Sequence, residues 1–170
     1  MQKFTTTVTY LEMRKKPLNL KINTPTDTLI IRAVNPTIHF YRYLYNTVGK
    51  EWKWYERNLL DDETLKLQIQ DKNVEIYVLY VDGVPAGYSE LDFSNEESNL
   101  VYFGLIPEFI GKGYGKYFLN WTIEKAWMAN PQRLWLHTCT LDAPNALDLY
   151  KKLGFVPYKT EEKEINFSKK

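Results

Sequence analysis

Apolar positions along this chain alternate with polar ones in some stretches and recur every three or four residues in others, and the changes of period divide it into elements. Phe4 to Tyr10 alternates through a threonine run and reads as a strand; Leu18, Leu20 and Ile22 alternate again and predict a second, shorter one. Leu29 to Val34 is the first strand of a core. Asn35-Pro36 offers an N-cap followed by proline at the first helical position, and the pattern is then helical from Thr37 through about Thr47. Gly49 breaks that helix, Trp52 to Leu60 predicts a second short one, and Asp61-Asp62-Glu63-Thr64 opens a third that runs to about Gln70. Its acids fall in the first turn, where the helix dipole favours them. Glu75 to Val81 and Val84 to Phe93 read as strands joined by a hairpin turn at Asp82-Gly83. A polar turn at Ser94 to Ser98 leads to Leu100–Ile106, which completes an antiparallel meander and is bounded by Pro107.

The period changes again at Gly113. Gly115, Leu119, Ile123 and Ala126 fall on one face of an amphipathic helix that ends before Asn130-Pro131. Leu134 to Thr140 is a further strand, and Asp142-Ala143-Pro144 starts another helix. Lys151, Lys152 and Gly154 give that helix a C-terminal signature, and Phe155 to Ile165 is the final strand before a lysine-rich end.

At 170 residues the chain has room for one domain with a substantial core. Hydrophobic residues at 44% and charged residues at 25% fit a globular protein, and a net charge of +1 argues against a nucleic-acid binder held by bulk electrostatics. A lone cysteine, Cys139, excludes an internal disulfide, points to a reducing compartment and reads as a buried apolar residue. No secretory leader is visible, and no apolar run approaches the roughly 20 residues that a membrane span needs. The expectation is one soluble, cytoplasmic domain over residues 1–170, with residues 1–27 an extension ahead of a core at 28–165, and with no nucleic-acid or membrane partner. The extension is expected to pack on the sheet or to form a flap over substrate. Aromatic residues reach 15% and collect in His39, Phe40, Tyr41, Tyr43, Tyr45, Trp52, Trp54 and Tyr55. That is more than one core face can bury, so some are expected to line a cleft.

Candidate chemistry centres on Ile110-Gly111-Lys112-Gly113-Tyr114-Gly115, between the third meander strand and the long helix. Three glycines in five residues let backbone N–H groups turn inward with no Cβ in the way. The helix N-terminus adds partial positive charge, Lys112 and Lys116 add full ones, and the stretch reads as a phosphate cradle. It is not a Walker loop, because no Gly-Lys-Ser/Thr follows, and the preceding meander does not open a dinucleotide βαβ repeat. Further on stands Leu149-Tyr150-Lys151-Lys152-Leu153-Gly154-Phe155. Together the two segments resemble the GCN5-related N-acetyltransferase (GNAT) superfamily. Its Gln/Arg-x-x-Gly-x-Gly/Ala loop holds the pyrophosphate of acetyl-CoA, and one of its helices ends in Leu-Tyr-x-x-x-Gly-Phe. The resemblance covers about Glu75 to Tyr158.

It implies an α/β (α+β) fold of the acyl-CoA N-acyltransferase type, with a mixed, mostly antiparallel central sheet flanked by helices on both faces. It also implies an acetyl-CoA-dependent N-acetyltransferase that acylates a primary amine of a small molecule or peptide by direct attack in a ternary complex. Acetyl-CoA is the co-substrate and no metal is needed. A non-catalytic acyl-CoA-binding regulatory module is the alternative, and a nucleotide-phosphate binder with unrelated chemistry is a third reading. The final strand and the N-terminal residues offer surfaces for a homodimer.

By the same resemblance, Phe103, Gly104, Leu105 and Ile106 contact the acetyl and pantetheine groups. Ile110, Gly111, Lys112, Gly113, Tyr114, Gly115 and Lys116 form the cradle. Ile110 stands where relatives carry Gln or Arg, so it offers its amide alone. Gly104, inside an otherwise bulky strand, marks a bulge or a close backbone approach. Asn145 lies near the pantetheine-binding asparagine of relatives, but seven residues back from Tyr150 is Ala143. Tyr150 matches the tyrosine that protonates the leaving thiolate, which a phenol of pKa about 10 can do at neutral pH. For the general base, Asn99 stands where the histone-acetylating branch has glutamate. Glu90, on the preceding strand and sharing a face with Tyr88 and Asp92, and His137 are the candidates, beside a water relay with no dedicated base.

Overall fold

The computed structural model describes residues 2–18, 20 and 23–167. In chain order it contains β1 (Gln2–Met13), β2 (Thr28–Arg32), α1 (Ile38–Gly49), α2 (Asp62–Ile69), β3 (Val74–Val81), β4 (Val84–Asp92), β5 (Ser98–Leu105), α3 (Tyr114–Trp127), β6 (Leu134–Cys139), α4 (Ala146–Lys152) and β7 (Val156–Phe167). Short 3-10 turns cover Glu56–Leu59 and Pro107–Phe109. The strands make one sheet in the order β2-β3-β4-β5-β6-β1-β7. Every neighbouring pair is antiparallel except β5 and β6, which run parallel. The mixed, mostly antiparallel sheet expected from the sequence is therefore present.

Strand alternation sends side chains to two cores. Tyr77, Leu79 and Val81 of β3 pack with Phe118, Leu119, Ile123 and Ala126 of α3 and with Phe155. Ile76 and Val78 point the other way, into a core built with Tyr41, Leu44, Tyr45 and Val48 of α1 and Leu65 and Ile69 of α2. Two bulges shift this alternation, one between Leu79 and Tyr80 opposite β4 and one between Glu90 and Leu91 opposite β5. The first turns Ala86 toward α3 while Tyr88 joins the α1 core.

Residues 2–13, expected as an extension, form a strand inside the sheet, paired with β6 on one edge and β7 on the other. Leu11 and Met13 join the α3 core, which is why this strand is held there. The expected strand over Leu18–Ile22 is absent at Leu18 and Leu20, and its remaining positions lie outside the described residues. At α1 the cap is Thr37, whose Oγ1 accepts from Phe40 N at 3.3 Å; Asn35 takes a left-handed turn instead (φ 51°). The helix expected over Trp52–Leu60 is a turn followed by the Glu56–Leu59 3-10 segment. Side-chain anchoring overrides helical periodicity there. Arg42 of α1 donates to the carbonyls of Arg57 (3.3 Å) and Leu60 (3.0 Å) and to Asp62 Oδ1 (3.0 Å), so a side chain takes carbonyls that a continuing helix would use, beside the 3-10 bond from Asn58 N to Tyr55 O (3.0 Å).

Candidate active site

Strands β5 and β6 are in register only at Ser98–Leu134 and Asn99–Trp135. Immediately beyond, Val101 is the extra residue of the β4–β5 bulge, since Leu91 pairs with Leu100 and Glu90 with Tyr102. A bulge increases twist, and here it turns β5 away from its parallel neighbour. The parting opens a cleft of about 610 Å³, walled by residues 100–105 of β5, by Leu136, His137 and Cys139, by the glycine loop and by the start of α4. A lip formed by residues 51–56 lies over one end.

Ile106 N donates to Ala86 O at 2.8 Å, toward β4. Backbone groups alternate in direction along a strand, so Gly104 also faces β4, while Phe103 and Leu105 present N–H and C=O to the open edge. Phe103, Gly104 and Leu105 line the cleft. Ile106 does not: its amide is spent on β4 and its side chain is buried in the α1 core. Gly104 is explained by close approach, because a Cβ there would sit 2.4 Å from Val48 Cγ1; the bulge is three residues earlier.

In the cradle, Gly111 (φ 80°) and Gly113 (φ 88°) both adopt the left-handed conformation that favours glycine. Gly113 is the N-cap of α3 and offers no side-chain acceptor, which leaves the first-turn N–H donors of a fourteen-residue helix for another partner. Ile110, Gly111, Gly113, Gly115 and Lys116 line the cleft. Lys112 and Tyr114 do not. The Lys112 ammonium lies 5.7 Å over the Phe109 ring, and the Tyr114 hydroxyl donates to Asp27 Oδ2 at 2.6 Å, tying the loop to the segment before β2.

Tyr150 lines the cleft from α4. The helix ends in a Schellman motif: Phe155 N donates to Tyr150 O (3.1 Å), Gly154 N donates to Lys151 O (3.0 Å), and Gly154 takes φ 101°. The Tyr150 and Phe155 rings meet edge to face at 5.9 Å, the apolar contact that accompanies this motif. Burial, helped by the Asp142 carboxylate, pushes the Tyr150 phenol above its ordinary value, so it stays protonated. Asn145 is the N-cap of α4 without a side-chain capping bond; it and Ala143 both line the cleft.

His137 lines the opposite wall, with its ring 5.6 Å from that of Tyr10. The residue is exposed at the cleft surface, yet the atoms packed around its ring desolvate it enough to push the imidazole below the ordinary 6.5, against an opposing pull from Glu56. Cys139, expected as a buried residue, is half-buried and lines the cleft as well.

Glu90 does not line the cleft. It is 1% exposed, and both oxygens are engaged: Oε2 accepts from the Tyr41 hydroxyl at 2.6 Å and Oε1 from the Arg57 guanidinium. Burial pushes its carboxyl up, with Arg57 and Tyr41 opposing. Alternation placed it on the correct face, but α1 and the lip cover that face.

Some of the aromatic run was expected to line a cleft, and Tyr45, Trp52, Trp54 and Tyr55 do; what the sequence did not disclose is the lip's form and the place of Glu56 in it. The indole of Trp54 sits among Tyr102 (5.0 Å), Tyr45 (5.5 Å) and Tyr88 (6.4 Å). Gly49 makes room for it, since a Cβ there would lie 2.5 Å from Trp54 Cβ. Trp54 Nε1 donates across the cleft to Asp142 Oδ1 (3.4 Å), and Asp142 Oδ2 accepts from Thr138 Oγ1 (2.6 Å) and Cys139 N (2.8 Å). Glu56 accepts from the Tyr102 hydroxyl at 2.9 Å and lines the same end as His137. The aromatic run gave a signal for this wall; nothing in it distinguished Glu56 from a helix-surface acid.

The sequence model of the acetyltransferase (GNAT) family matches residues 36–155, which include β5, the glycine loop and Tyr150. The chain belongs to the GNAT acetyltransferase family. Solved structures share its fold. A functionally unknown conserved protein from Staphylococcus epidermidis superposes with a TM-score of 0.67 at 20% identity, over 95% of this chain and 61% of its own. A GCN5-related N-acetyltransferase from Kribbella flavida gives 0.61 at 15% identity, over 92% and 56%. The ribosomal-protein-S18-alanine N-acetyltransferase of Escherichia coli gives 0.60 at 18%, over 77% and 80%. This GNAT chain thus spans about three fifths of the length of the first two, and identities this low establish a shared fold alone. A comparison with curated proteins gives no match. Among the described residues no group of His, Cys, Asp and Glu is placed to hold a metal, and no helix is long and apolar enough to cross a membrane.

Proposed function

We propose that this protein is an acetyl-CoA-dependent N-acetyltransferase that acylates a primary amine of a small molecule or peptide in a ternary complex, in the cytoplasm. The observation that carries this reading is continuity: one cleft joins the glycine loop and α3 N-terminus to Tyr150 and then to the aromatic lip and His137. The residues present fit an acyl-CoA. The cap-free helix end and Lys116 suit a pyrophosphate, and the freed edge of β5 suits the amide-bearing pantetheine arm. Bound acetyl-CoA supplies an activated thioester.

In the transfer the amine nitrogen bonds to the thioester carbonyl carbon, the C–S bond breaks, the amine gives up a proton and the thiolate takes one. N–H donors of Phe103 or Leu105 face the side where the carbonyl oxygen gains charge. Tyr150, held protonated by burial, gives the thiolate its proton. His137 accepts from the amine, because its lowered pKa keeps the imidazole neutral near pH 7. Glu90, with both oxygens bound, is a positioning residue: it fixes Arg57, whose guanidinium lies 5.3 Å over the Tyr102 ring.

Calorimetric titration with acetyl-CoA, with ATP as control, followed by thiol release with a panel of primary amines, tests this reading. Micromolar binding of acetyl-CoA over ATP and amine-dependent thiol release are expected. Binding without release for any amine would favour the non-catalytic acyl-CoA module, and absence of binding would overturn both.

A further inference from the structure

The lip presents Glu56 in an unusual setting. Its backbone is fixed by the next residue: the Arg57 guanidinium is bound to buried Glu90 and to Gln68, and Arg57 N donates to the Tyr45 hydroxyl at 3.3 Å. One carboxylate oxygen of Glu56 accepts from the Tyr102 hydroxyl, which leaves the other for the cleft. Among the described residues Glu56 has no ion pair. The nearest arginine is turned into the core, and Lys163, which lines the same cleft, is engaged with Glu161 and the Tyr10 hydroxyl. Beside Glu56 the rings of Trp54, Tyr102 and Tyr45 form a continuous aromatic wall with centroids 5.0–5.5 Å apart. Glu56 is exposed at the cleft mouth, and a carboxylate held there by the Tyr102 hydroxyl without an ion pair, beside aromatic rings and near a histidine, is a receptor for a positive charge.

We propose that Glu56 is the docking carboxylate for the acceptor's ammonium, so that the acceptor class is a primary ammonium on an apolar alkyl or aryl body that lies along Trp54 and Tyr102. This rests on the acetyltransferase reading above and narrows it. Docked as R–NH₃⁺, the acceptor passes one proton to His137 to become the nucleophile. As the C–N bond forms and the C–S bond breaks, the second proton leaves nitrogen to solvent water, Tyr150 gives its proton to the departing thiolate and regains one from water, and His137 returns its proton to solvent, so that one proton is released per turnover.

The test uses the full chain saturated with coenzyme A, titrated with phenethylammonium and with its neutral isostere 2-phenylethanol while tryptophan fluorescence is followed. Wild type is expected to bind the ammonium at least about tenfold more tightly than the alcohol. Glu56→Gln is expected to reduce that preference to about threefold or less, Glu56→Asp to keep part of it, and Glu51→Gln, on the same lip, to leave it intact. No binding of phenethylammonium by wild type, no preference over the alcohol, or a preference that survives Glu56→Gln overturns the proposal. Acetyl-CoA titration of the same samples separates the two readings. Wild type that binds acetyl-CoA but shows no ammonium preference fails here alone; wild type that does not bind acetyl-CoA fails at the level of function.

Discussion

His137 and Tyr150 line one cleft, and desolvation moves them in opposite protonic directions although His137 is the more exposed of the two. The tyrosine is held in its protonated form and the histidine in its neutral form. That is the arrangement a donor and an acceptor require, and it makes the pH profile informative. The groups around His137 are Glu56, Asp142 and Glu161, which favour its cation, and Lys163, which opposes it, with the Tyr10 ring alongside. Desolvation outweighs the three carboxylates, so the folded pKa lies below 6.5. The neutral, proton-accepting form therefore dominates above that value and is lost as pH falls. We expect kcat/KM to show an acid limb with an apparent pKa under 6.5, and His137→Gln to abolish the limb and lower kcat by about 10²-fold or more. A limb that persists unchanged in His137→Gln places the base elsewhere. The same shift has a stability counterpart. Between the folded pKa and 6.5 the unfolded chain binds more protons, so wild type loses stability there as pH falls and His137→Gln does not. Of these two residues, Tyr150 was legible from a motif because the motif has a local cause, the Schellman end that packs Tyr150 on Phe155. Glu90 was misread because alternation tells which face a side chain takes and not what covers that face.

The parting of β5 from β6 comes from the bulge at Val101, which the sequence did not disclose: Gly104 stood out as a small residue in a bulky strand, whereas Val101 is β-branched and carries no mark. Glycine loops, hairpin turns and the α3 face were legible because each depends on local conformation or strict period. The lip was not, because the segment that follows it is held by Arg42, twenty residues from Asp62 in sequence, against a pattern that reads as helical. Gly104 itself answers to packing: α1 lies so close that an added Cβ would meet Val48 Cγ1 at 2.4 Å. Gly104→Ala should destabilise the protein by about 1–3 kcal/mol through overpacking, read as a shift in urea midpoint at constant m-value. Val48→Ala in the same chain should recover most of that loss, since it removes the methyl that clashes. Full stability of Gly104→Ala alone, or no recovery in the double variant, would show that the glycine is there for another reason.

Two cores on opposite faces of one sheet divide the molecule's labour. The α3 core supports the glycine loop and Tyr150, while the α1–α2 core supports the lip and its aromatic wall. On the proposed function, their separation means that the acceptor end can be loosened without disturbing the coenzyme end. The buried Glu90–Arg57 pair is the place to do it, because it joins β4 to the lip, reaches α1 through Tyr41 and reaches α2 through Gln68. Glu90→Gln leaves the Arg57 cation buried (its side chain is 14% exposed) without its counter-charge, a change that costs about 3–5 kcal/mol when one partner of such a pair is removed. Replacing both, as Glu90→Gln with Arg57→Met, removes the stranded charge as well as the bond, so the double variant should lose clearly less than the sum of the two single losses. The functional readout follows from the division between cores. Acetyl-CoA Kd should stay within about twofold of wild type in any of these variants that remains folded, while KM for an amine acceptor rises, because only the lip is released. Strictly additive stability losses would show that the pair acts as two independent side chains. Acetyl-CoA affinity that falls in step with acceptor affinity would show that the two ends of the cleft are one cooperative unit.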